Sequence, residues 1–89
     1  IIKANIMNLH EQFEQAFTES KQLPEKPSND ILLKIYSLYK QATQGDISGE
    51  KPNGFDFVNL AKYNAWESLK GKNSEEAMQE YIDLINSLK

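Results

Sequence analysis

The chain has no cysteine, no arginine and a single histidine, and each shortage closes a class of function. Without Cys there is no disulfide scaffold, no thiol nucleophile and no cysteine-ligated zinc. That absence fits a reducing compartment, and the expected location is the cytoplasm. All ten basic residues are Lys, set against thirteen acids and a formal net charge of −3. Nucleic-acid-binding surfaces carry a basic excess and use Arg for planar contacts to bases and phosphates. No nucleic-acid partner is expected, although a few placed lysines can still hold one phosphorylated ligand. No apolar run approaches the ~20 residues that cross a bilayer. The opening IIKANIM has no long apolar core and is not a secretory signal. Met7 is a candidate native start, which would make residues 1–6 a cloning remnant and 1–8 an N-terminal extension to a domain at 9–89.

Glycine and proline are also scarce, and all four Gly and all three Pro fall between stretches of helical periodicity. The first helix is expected from Leu9 to Gln22, capped by Asn8, with Glu11 completing a capping-box pattern. Leu9, Phe13, Ala16 and Phe17 recur on it at helical spacing. The second is expected from Ser28 to just before Gly45, a good stop residue. Its Ile31, Ile35, Leu38 and Ala42 form one stripe, and Leu32, Tyr36, Tyr39, Lys40 and Thr43 a mixed face beside it. Gly45 to Phe57 reads as a long loop, and loops of that length in compact domains are often functional. A third helix is expected from Val58 or Asn59 to Lys70, with Ala61, Ala65, Trp66 and Leu69 inside and Gly71 ending it. The fourth begins at Asn73 or Ser74, with Asn73 and Glu76 at capping-box spacing and an apolar stripe through Ala77, Met78, Tyr81, Ile82, Ile85 and Leu88. Four helices, no strand signal and one long crossover describe a single-domain all-α bundle. In 89 residues such a core is marginal, and helix packing alone must supply the stability.

Catalysis finds little support. His10 has no Cys or Ser partner near it in sequence, and the carboxylates Glu11, Glu14, Glu67, Glu75, Glu76 and Glu80 sit on polar faces or in first turns, where the helix dipole accounts for them. They show no metal-ligand spacing. No enzymatic activity, cofactor or metal is expected. Tyr36 and Lys40 are more informative. Four residues apart, they share a helix face, with Tyr39 adjoining both. An adenine needs a flat aromatic surface and a phosphate needs a cation, so this face offers half a nucleotide site. The same residues also read as ordinary bundle decoration, as do Lys62, Tyr81 and Lys21, and periodicity does not decide between the two.

As strings, however, IYSLYKQATQGD, KPNGFDF, AKYNAWESLKG and NSEEAMQEYI closely resemble the acyl-CoA-binding protein family, in order and without gaps from Phe13 to Leu88. The resemblance implies a four-helix up-down-down-up bundle and a non-catalytic carrier of medium- to long-chain fatty acyl-CoA esters; a carrier this small needs no partner subunit, and a monomer is expected. It implies that Tyr36 and Tyr39 line the nucleotide site, with Tyr39 against the adenine. Lys40 and Lys62 would bind the ribose 3′-phosphate and neighbouring phosphate oxygens, Tyr81 would pack and hydrogen-bond from the fourth helix, and Lys21 would approach from the first. Ala16, Phe17, Leu32 and Leu33 would border the acyl-chain groove.

Departures from the family pattern accompany the likeness. The family often carries basic residues where this chain has Val58 and Leu60, and often Trp where it has Tyr63. The lost charge should weaken phosphate attraction modestly, and the apolar run from Val58 to Ala61 could extend a hydrophobic groove. Three other readings stand beside the carrier: a helical protein-interaction module, a carrier of a different phosphorylated or lipid ligand such as free fatty acid, and a substrate-delivery domain of a larger lipid-metabolism enzyme.

Overall fold

The structure, a computed structural model, describes residues 7–89; the proposed cloning remnant at 1–6 lies outside the described residues. Four helices follow in order: α1 (Leu9–Ser20), α2 (Asn29–Gln44), α3 (Phe57–Glu67) and α4 (Ser74–Leu88). There is no strand among the described residues.

Each helix starts where a short polar side chain can take up orphan backbone donors. Asn8 accepts from the Glu11 N–H at 2.8 Å while the Glu11 carboxylate accepts from the Asn8 N–H at 3.1 Å, a complete capping box. Ser28, Asp56 and Asn73 cap the other three by accepting from the N–H three residues on. Asp56 moves the start of α3 forward to Phe57, one residue earlier than expected. The helix also ends earlier, at Glu67, and residues 68–71 close as turns with Lys70 N–H on the Glu67 carbonyl. α1 likewise stops at Ser20, and Gln22 is already in a turn.

The contacts fix the directions. Lys89 at the end of α4 pairs with Glu19 at the end of α1, so these two helices are parallel. Gln41 near the end of α2 donates to the Lys72 carbonyl just before α4, so α2 and α4 are antiparallel. Gln41 also accepts from Trp66 near the end of α3, which makes α2 and α3 parallel. The result is an up-down-down-up bundle. α4 packs on α1 and α2, while α3 packs on α2 alone.

Phe13 and Ala16 of α1, Leu38 and Ala42 of α2, and Ala77, Met78, Tyr81, Ile82 and Ile85 of α4 form the core. The small residues Ala16, Ala42 and Ala77 allow close approach, and the large ones fill the seam. Burying each large side chain contributes roughly 1.5–3 kcal/mol before entropy is subtracted. The parallel α2–α3 pair also explains the long loop. α2 spans about 24 Å at 1.5 Å per residue, and the chain must return over that distance before α3 can start. Its length is a demand of topology.

Candidate ligand-binding site

Parallel α2 and α3 bring two i,i+4 pairs face to face. Tyr36 and Lys40 lie on one face of α2, and Lys62 and Trp66 on one face of α3. The pairing is crossed: the Lys62 ammonium lies 5.3 Å from the Tyr36 ring centroid, and the Lys40 ammonium 5.6 Å from that of Trp66. Lys40 is also 5.9 Å from the Tyr36 ring. Two cations and two aromatic faces therefore converge within reach of cation–π attraction. Among the described residues the ion pairs are Lys72–Glu80 and Lys89–Glu19, so neither Lys40 nor Lys62 is neutralised by a carboxylate.

This site rests on a polar knot. Gln41 is fully buried, and its amide nitrogen donates to Asp46 at 2.9 Å and to the Lys72 carbonyl at 2.8 Å. Its amide oxygen accepts from the Trp66 indole N–H at 3.1 Å, and the indole also donates to the Gly45 carbonyl at 2.9 Å. Gly45 reaches that position with φ of 80°, in the region that favours glycine. Asp46 closes the ring by accepting from the Gly71 N–H at 2.8 Å. That backbone bond and the Gln41 amide hold the Asp46 carboxyl below its ordinary range. No buried side-chain nitrogen or oxygen among the described residues lacks a partner. The knot ties the end of α2, the loop, Trp66 and the α3–α4 turn together, fixing the indole beneath Lys40.

An apolar groove of about 410 Å³ leads away from the cations toward the N-termini of the two helices. Leu32, Leu33, Phe57, Val58 and Ala61 line it, and Tyr36 and Lys62 belong to it at its polar end. On the loop side of the same residues, Ile47, Ser48, Pro52 and Tyr63 border a smaller hollow of about 230 Å³ that Tyr36, Lys62 and Trp66 share.

The expected site residues thus divide. Tyr36, Lys40 and Lys62 come together, with Leu32 and Leu33 in the adjoining groove. Tyr39 lies elsewhere. Three helical residues turn the chain by about 300°, which swings Tyr39 toward α1. There its ring stacks on Phe17 at 5.0 Å and Phe13 at 5.7 Å. Tyr81 joins the same cluster, 5.0 Å from Phe13 and 6.1 Å from Tyr39, and only 1% of it is exposed. Burial raises the Tyr81 phenol above its ordinary range, and the Ser20 hydroxyl opposes that shift. Lys21 caps the cluster, its ammonium 4.3 Å from the Phe17 ring centroid. Phe17 and Tyr39 line a separate hollow of about 350 Å³ between α1 and α2, at whose edge His10 is exposed. Ala16 is a core residue facing α4. The structure therefore brings neither Ala16 nor Phe17 to the apolar groove. Trp66, read from the sequence only as a core residue, is part of the site. Its i,i+4 relation to Lys62, the mirror of Tyr36 and Lys40, is the signal that points to it.

No group of three or more His, Cys, Asp or Glu among the described residues is placed to hold a metal, and no described helix is long and apolar enough to cross a membrane. The site is a cation pair on aromatic faces with an apolar groove attached, suited to an anionic, amphipathic ligand.

The chain is also similar to known proteins. The chain is 50% identical over 76 residues to the acyl-CoA-binding protein of Saccharomyces cerevisiae, covering 85% of this chain and 87% of that one. It is 46% identical over 78 residues to enoyl-CoA delta isomerase 2 of Rattus norvegicus, of which it spans 20%. The crystal structure of Oryza sativa acyl-CoA-binding protein 2 superposes with a TM-score of 0.87 at 40% identity, covering 91% of this chain and 90% of that one. The family model described as acyl CoA binding protein matches residues 10–85. With that match over most of its length and 50% identity to the yeast protein over 76 residues, the chain belongs to the acyl-CoA-binding protein family.

Proposed function

We propose that the chain binds medium- to long-chain fatty acyl-CoA esters and carries or buffers them in the cytoplasm as a non-catalytic monomer. The observation that carries this reading is the convergence of Lys40 and Lys62, unneutralised, on Tyr36 and Trp66 at the head of an apolar groove. The lysines answer the phosphates, the aromatic faces suit the adenine or the pantetheine arm, and the groove takes the acyl chain. Tyr39, Tyr81 and Lys21 support the ligand less directly in this arrangement, through the aromatic cluster that holds α1 against α2 and α4.

The energies favour recognition by the head and affinity from the tail. A charge-assisted hydrogen bond contributes about 1.5–3 kcal/mol net. Each sheltered methylene contributes about 0.8 kcal/mol, so ten give about 8 kcal/mol before ordering costs. Affinity is expected to rise from free CoA through short to long acyl-CoA.

Lys40→Ala and Lys62→Ala test the assignment. Each should weaken palmitoyl-CoA binding by roughly tenfold to a hundredfold, while thermal unfolding stays close to wild type. Full affinity in both variants would remove the site.

A second reading has one observation behind it: the similarity to a fifth of enoyl-CoA delta isomerase 2. In a longer protein the same site would deliver acyl-CoA to a neighbouring catalytic domain. The ligand chemistry is common to both readings.

A further inference from the structure

The crossed pairing of α2 and α3 repeats by helical turns. Lys40 meets Trp66; one turn toward the N-termini Tyr36 meets Lys62; one turn further Leu32 and Val58 line the groove together. Within two turns, about 11 Å, the wall changes from paired cations and aromatic rings to a mostly apolar lining of Leu32, Leu33, Phe57, Val58 and Ala61, with Asn29 the one polar side chain there. Val58 nevertheless remains 66% exposed, and Phe57 beside it 74%. Large apolar side chains left open at the lip of an apolar groove are covered at a gain in free energy when an apolar ligand reaches them. The ends of the groove differ in the same sense as the ends of an acyl-CoA. Its cationic end faces the anionic head, so the exposed apolar end faces the chain.

Resting on the acyl-CoA reading, we propose that Val58, against Leu32 and beside Phe57, is the residue that makes affinity depend on acyl-chain length, because only a long chain reaches far enough to cover it. Leu32 is half-buried and shapes the groove in the free protein, whereas Val58 is mostly uncovered until a ligand arrives. A polar side chain at position 58 would leave the phosphate end untouched and remove the reward for the last methylenes. A larger aliphatic one would increase it.

The test is a pair of variants, Val58→Asn and Val58→Leu, titrated calorimetrically with hexanoyl-CoA and palmitoyl-CoA beside the wild type. Both substitutions lie at an exposed position in the first turn of α3, and thermal melting verifies that the fold is kept. The expected result is a loss of about tenfold for palmitoyl-CoA in Val58→Asn and a change of less than about twofold for hexanoyl-CoA, with palmitoyl-CoA binding equal or tighter in Val58→Leu. Equal changes for the two ligands, or none, in a wild type that binds palmitoyl-CoA more tightly than hexanoyl-CoA would overturn the role of Val58 and leave the acyl-CoA reading intact. A wild type that binds neither ligand would overturn the acyl-CoA reading itself, and this proposal with it.

Discussion

Two polar clusters lie side by side on α2, one residue apart in sequence, and they are opposite in design. Gln41 enters a closed knot in which each buried side-chain nitrogen and oxygen has a protein partner. Lys40, its neighbour, points to an open face where it meets the rings of Tyr36 and Trp66 and, among the described residues, pairs with no carboxylate. A buried amide must be satisfied within the protein, because leaving it unpaired costs about 1–3 kcal/mol. A half-exposed ammonium has water in the free state and can exchange it for a ligand phosphate. The closed cluster therefore bears on stability and the open one on affinity, with Trp66 common to both through its N–H and its ring.

The sharpest way to break that division is at the shared residue. Trp66→Ala empties a buried site and leaves the Gln41 amide oxygen without its donor, and it should cost about 3–5 kcal/mol of stability in addition to weakening acyl-CoA binding. Chemical denaturation with and without palmitoyl-CoA measures both losses. A smaller effect, confined to the closed cluster, is expected from Gln41→Leu. It leaves the Lys72 carbonyl without this donor and removes one partner each from Asp46 and Trp66. About 1–3 kcal/mol of stability should be lost, with little change in the affinity of the molecules that remain folded. A large affinity loss at unchanged stability would dissolve the distinction between the clusters.

The smallest expected effect is on the acid side. The Asp46 carboxyl is lowered by the Gly71 N–H and the Gln41 amide. A depressed carboxylate adds stability above its unfolded value, near 3.8, and that stability disappears as pH falls through the folded-state value. Glu19, lowered chiefly by its hydrogen bond to Lys89, acts in the same direction. Asp46→Asn keeps an acceptor oxygen but cannot titrate, so its stability should fall less steeply below about pH 4 than that of the wild type. Parallel acid limbs in urea titrations at stepped pH would show that Asp46 has no part in the pH dependence.

The contrast also explains what was legible in the sequence. Caps and stops are local chemistry, and Asn8 with Glu11, Ser28, Asn73 and Gly45 act where their residue types place them. The up-down-down-up order came from resemblance, since periodicity does not specify how helices cross. Tyr36, Lys40 and Lys62 were readable because two share a helix face and the third stands in a matching string. Tyr39 was harder, because neighbours on a helix surface diverge by the angle that decides which partner they meet. Only the placement of Phe13 and Phe17 shows that Tyr39 turns to them. Trp66 reads as core by its apolar bulk, and its second role depends on a cross-helix register that no single segment contains. The long loop suggests function by its length until parallel α2 and α3 show that it must travel back along α2.

Calorimetric titration with palmitoyl-CoA, run beside free CoA and free palmitate, tests the central claim most directly. Tight one-to-one binding of palmitoyl-CoA, with free CoA much weaker and palmitate weaker still, is the predicted result. Equal binding of palmitoyl-CoA and palmitate, or no binding of any of the three, would contradict it.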